Sequence, residues 1–155
     1  MKKTEIISEG KNYSAVDLGN LDQLMDHSFL HPKLNVEVKG KVFTGEAVNA
    51  TGSEVSFQIL PPGAEISFLH KHRAHEELYV FLKGSGQFQV DGNVFNIKEG
   101  SVVRISPEGS RSWKNSSAEE PMIFMVIQTM AGSLDNYAVE DGYRVDGKIE
   151  WNDNK

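Results

Sequence analysis

Phe88-Gln89-Val90-Asp91-Gly92-Asn93-Val94-Phe95 alternates apolar and polar residues on either side of an Asp-Gly pair. Alternation of period two puts every second side chain on one face of an extended strand. Asp-Gly tolerates positive φ at both central positions of a tight turn, so the stretch predicts a two-residue β-hairpin. The pattern spreads in both directions. Upstream, Gly84-Ser85-Gly86 is a turn, and Leu78 to Leu82 reads as a strand apolar on both faces. Ile66, Phe68, His70 and His72 alternate on one face of a further expected strand, and Pro61-Pro62-Gly63 breaks the chain before it. Val55/Phe57/Ile59, Val42-Phe43 and Val36/Val38 predict earlier strands. Downstream, Gly100 precedes Val102 to Ile105, Pro107 and Gly109 mark a loop, and Pro121 to Ile127 is a last strong strand. Many short strands with frequent turn signals and little helix predict an all-β barrel or sandwich. Residues 34–130 form this barrel in the reading. Residues 1–33 form a short N-terminal helical arm, in which Asn20 caps a helix with Leu21, Leu24 and Met25 on one face and Pro32 ends the segment. Residues 131–155 are an extension, where Val145-Asp146-Gly147-Lys148-Ile149 predicts a hairpin packed on the barrel.

A chain of 155 residues is one ordinary domain, large enough to bury a core without covalent staples. It has no cysteine, which removes disulfides, thiolate metal sites and a cysteine nucleophile. The net charge of −6 and the lack of a basic cluster larger than Lys71-His72-Arg73 argue against nucleic acid and anionic membranes as partners. No signal peptide is visible, and no run approaches the roughly 18 apolar residues of a membrane span. A cytoplasmic protein is the expectation.

The chemistry-bearing residues are concentrated. All five histidines precede residue 76, and His70, His72 and His75 fall close together. His70 and His72 share strand parity, and Glu77 follows a turn, so a hairpin would set its carboxylate opposite the two imidazoles. Two imidazoles and a carboxylate suit zinc, iron, nickel or manganese and leave positions open for water or substrate. The plain alternative is a polar barrel interior in which the histidines bond to Glu77 and water.

Gly63, His70-Lys71-His72, Glu77 and Gly84 resemble the first signature of the cupin superfamily; Gly63 to His70 has one residue more than the usual gap. Gly100, Pro107-Glu108-Gly109 and Asn115 resemble the second. The resemblance spans roughly 55–128 and implies a cupin-type jelly-roll β-barrel, an internal metal or ligand pocket, and a homodimer. The second signature departs at its histidine, which falls on Ser112 counted from Pro107 and on Arg111 counted back from Asn115. The pattern resembles single-domain cupins with a degenerate second motif. His75 is a further candidate ligand, and Gln58 or water could also fill the gap. Arg111 beside Trp113 could clamp an acid at the barrel mouth, with Tyr79 among the residues lining the pocket. His27 and His31 read as surface residues of the arm. Three functions fit: a barrel that binds a sugar or organic acid, with or without a divalent metal on His70, His72 and Glu77; a metal-dependent isomerase, epimerase or oxygenase; or a non-catalytic dimerising module.

Overall fold

The computed structural model describes residues 4–32, 35–134 and 141–151. Twelve strands are formed among them. They are β1 (Glu5–Gly10), β2 (Tyr13–Asp17), β3 (Ser28–Leu30), β4 (Glu37–Lys39), β5 (Lys41–Phe43), β6 (Ser53–Leu60), β7 (His75–Lys83), β8 (Ser85–Val90), β9 (Asn93–Lys98), β10 (Val102–Ile105), β11 (Arg111–Asn115) and β12 (Met122–Met130). An antiparallel five-stranded sheet in the order β10-β7-β12-β6-β5 faces a three-stranded sheet in the order β11-β8-β9. The hairpin read from Asp91-Gly92 forms with Val90 opposite Asn93. Its two central residues have φ of 49° and 84°, the left-handed pair that this turn demands.

The core lies between the sheets because the alternating apolar residues of both point there. Tyr79 and Phe81 of β7 and Phe124 of β12 meet Phe88 of β8 and Trp113 of β11, all buried. Phe88 stacks on Trp113 with 5.6 Å between ring centroids, and Tyr79 meets both edge-on. β7 itself alternates fully buried and half-buried residues, where the sequence predicts equal burial on both faces.

The helical arm needs correction. Residues 5–17 form a β-hairpin, and the helix is one 3-10 segment over Leu21–Asp26. Asn20 does cap it, accepting from the Asp22 amide, but the six residues close through i→i+3 bonds from Gln23 to Asn20 and from His27 to Leu24. Of the expected apolar face only Leu24 is fully buried; it packs with Ile59 and Ile123 on the outer side of the large sheet. His27 is also buried, with Nε2 on the Leu18 carbonyl, rather than at the surface. No strand forms over residues 141–151, and Val145, Ile149 and Trp151 stand exposed where a hairpin is predicted. No described helix is long and apolar enough to cross a membrane.

Gly84 joins β7 to β8 with φ of 84°, and a Cβ there would come within 2.6 Å of the Pro121 carbonyl oxygen. Two costs therefore fall on one position, left-handed backbone and a clash with a fixed main-chain atom. Gly84→Ala is expected to lower the urea midpoint by about 1–3 kcal/mol equivalent at unchanged m-value; an unchanged midpoint would refute this packing argument.

Candidate functional site

His70 and His72 lie on the segment between β6 and β7. This segment runs beside β11 but forms only isolated bridges, at Glu65/Lys114 and His70/Arg111, instead of the expected strand. Ile66 donates to the Trp113 carbonyl, and His70 exchanges both backbone bonds with Arg111. Between these points Ser67, Phe68 and Leu69 face Ser112 alone, so the chain bulges outward. The Ile66 carbonyl takes the Ser112 hydroxyl in place of a ladder amide. Phe68 is thereby left exposed rather than sharing the buried face with His70.

The bulge leaves His70, His72 and Glu77 facing one another. One donor atom from each lies within 4.8 Å of the other two. His75 does not join this group; it opens β7 and lines a surface depression with Glu46, Glu54 and Gln128. Ser112 is spent on Ile66, so the residue that faces the site where a second-signature histidine would stand is Arg111. It is 1% exposed.

Arg111 is tightly held. Its Nη2 donates to Glu77 Oε2, and its Nη1 donates to the carbonyls of His70 and Gly109 at 3.3 Å each. The Tyr79 hydroxyl donates to the same Glu77 oxygen at 2.6 Å, while Glu77 Oε1 is 3.2 Å from His72 Nε2. Burial works to raise the Glu77 carboxyl, but the bonds from Tyr79 and Arg111 outweigh it and hold the group below the ordinary carboxylate range. Burial, reinforced by Arg111, pushes His70 down to about 4, and burial also lowers His72. Both imidazoles are neutral at neutral pH. Burial beside Glu77 raises Tyr79, which stays a phenol.

Lys41, which the sequence reading does not single out, belongs to this neighbourhood. Burial lowers its ammonium, and Glu77 and Glu54 pull it back. It also acts electrostatically on His70 and His72. Its pairing opposite Gln58 on β6 brings it there, a long-range placement that no local motif announces. Glu77 and Arg111 cancel within the cluster, and Glu54 stands as a counter-charge to Lys41.

Among the described residues, three buried side-chain nitrogens have no hydrogen-bond partner: His70 Nδ1, Arg111 Nε and Trp113 Nε1. Such groups are costly in a core and mark where a bound water or ligand would be satisfied. Trp113 also borders a groove of about 360 Å³ with Phe68 and Ser112, whereas His72, Glu77 and Arg111 do not line it. Of the residues read as ligand-binding, Trp113 and Arg111 thus offer free polar atoms, and the Tyr79 hydroxyl is committed to Glu77.

The donor types of His70, His72 and Glu77 fit a divalent metal, but Arg111 and Tyr79 already hold one of the two carboxylate oxygens, which leaves Oε1 alone for an ion.

A family model for the Cupin domain matches residues 56–128. A cupin protein of Bacteroides fragilis is 35% identical with a TM-score of 0.62, over 68% of this chain and 88% of that one. A predicted oxalate decarboxylase of Thermotoga maritima is 28% identical with a TM-score of 0.53, over 62% and 83%. An uncharacterized protein of Methanocaldococcus jannaschii is 35% identical over 57 residues, 37% of this chain, and the match spans 45% of that protein's length. With the two facing sheets, both signatures and a relative matched over most of its length, the chain belongs to the cupin family.

Proposed function

We propose that this cupin binds a small organic acid at the polar cluster of its barrel. The observation that carries the reading is the donor balance: three buried, unpartnered nitrogens on His70, Arg111 and Trp113. A carboxylate supplies the acceptor oxygens that these groups lack. The Thermotoga relative, a predicted oxalate decarboxylase, is in keeping with this class.

In this reading the protein's own residues bind and orient. Trp113 offers an apolar face and an indole N–H, Arg111 Nε an immobile donor, and neutral His70 a proton donor or acceptor according to tautomer. The test is a thermal-shift and calorimetric panel of short mono- and dicarboxylates against neutral sugars, in the presence of a chelator. Carboxylates are expected to raise Tm, with Trp113→Phe, which removes the free indole N–H, weakening them about tenfold. Stabilisation by neutral sugars alone, or equal binding by Trp113→Phe, would overturn it.

A second reading, metal-dependent isomerisation, epimerisation or oxygenation, is favoured by one observation, the convergence of three donors within 4.8 Å. There a divalent ion on His70, His72 and Glu77 would supply Lewis-acid or oxygen-binding chemistry. Elemental analysis of untagged protein and of His72→Ala separates the two: stoichiometric metal lost in the variant favours the second, and its absence from both favours the first.

A further inference from the structure

We propose that Arg111 is the site's built-in cation, a guanidinium fixed on Glu77 where a fourth ligand would stand, so that His70, His72 and Glu77 bind divalent metals only weakly. Spacing between His72 and Glu77 is not the obstacle. The 3.2 Å between His72 Nε2 and Glu77 Oε1 is close to the about 3.4 Å that separates two ligands of a tetrahedral zinc ion with bonds of about 2.1 Å.

Charge is the obstacle. A metal on Oε2 must displace both Arg111 and Tyr79 from that oxygen. A metal on Oε1 would share one carboxylate with a guanidinium bonded to its other oxygen. The guanidinium cannot shed its proton, as a lysine in its place could. Nor can it swing aside, since Nη1 is tied to the carbonyls of His70 and Gly109 and the side chain is 1% exposed. The one carboxylate of the trio is thus already neutralised by the chain itself.

The inference rests on this geometry and not on the identity of the organic ligand, so it can stand if acid binding fails, and the reverse also holds. Its test uses metal alone. Zn²⁺ and Mn²⁺ are titrated calorimetrically, in a non-coordinating buffer, into the wild type, Arg111→His, and Arg111→His combined with His72→Ala. Arg111→His is expected to bind one ion more tightly than the wild type by a factor of about 10–100, the scale of a change beside a metal ligand. His72→Ala should abolish that gain. A gain below about tenfold, or one that survives His72→Ala, overturns the inference. Should Arg111→His fail to fold, the wild type decides alone. Titration with Co²⁺ should then give no saturable visible ligand-field band up to millimolar concentration, and a band saturating at micromolar Co²⁺ overturns it.

Discussion

Arg111→Met is expected to cost about 3–5 kcal/mol of folding stability, a large part of the roughly 5–15 kcal/mol that holds a domain of this size together. The cost comes from what is left behind. Glu77 is 7% exposed and would keep its buried charge with only Tyr79 and His72 as partners. Adding Glu77→Leu to Arg111→Met should recover much of the loss, because a buried ion pair replaced by apolar groups is close to neutral. Urea unfolding of the four proteins in this cycle reads the coupling directly. Equal stability of wild type and Arg111→Met would refute the pairing. The sign of the pH dependence follows. Glu77 titrates below its unfolded-state range, so its contribution is present above that range and is lost as pH falls through the lower folded value. In Arg111→Met burial acts with one lowering partner fewer, so the carboxyl rises and the acid transition moves to higher pH.

Asn115→Ala should be nearly as damaging. Its Nδ2 donates to the carbonyls of Leu60 and Pro61 at 3.1 Å and of Glu120 at 2.8 Å, and its Oδ1 accepts the Ser117 amide at 2.9 Å. One amide thus ties the end of β6 to the loop leading into β12. Truncation strands buried main-chain groups at about 1–3 kcal/mol each, and a loss of about 3 kcal/mol is expected. Scanning calorimetry should show this as a fall in Tm of about 10 °C. Asn115→Asp should fare no better, since it keeps the acceptor and points charge at three carbonyls. A Tm within about a degree of wild type in both variants would refute the role given to Asn115.

The barrel was legible because its strands alternate and its turns use residues with special backbone freedom; Asp91-Gly92 carries both signals in eight residues. The nearness of His70, His72 and Glu77 was legible from their closeness in the sequence, although the strand whose parity argued for it does not form. The arm differs because Leu21, Leu24 and Met25 satisfy a helical period while only Leu24 is fully buried, with Leu21 half-buried beside it and Met25 exposed. Helix period in a short segment says little when tertiary packing chooses one residue from the stripe. The expected strand of His70 and His72 failed for a similar reason. Nothing local shows that Ser112 would take the Ile66 carbonyl and force a bulge. Choosing between Ser112 and Arg111 required the register of β11, and Lys41 required the pairing of β5 with β6.

Gly84 excludes any side chain because β12 passes at contact distance, which is a demand of architecture and not of chemistry. Asn115 is of the same kind. The letters that announce kinship in this chain are therefore mostly masonry, while the position proposed to set metal affinity holds Arg111 without disturbing them. A genome survey keyed to these signatures collects barrels, and sorting metal users from the rest requires reading the one inward residue four places before Asn115.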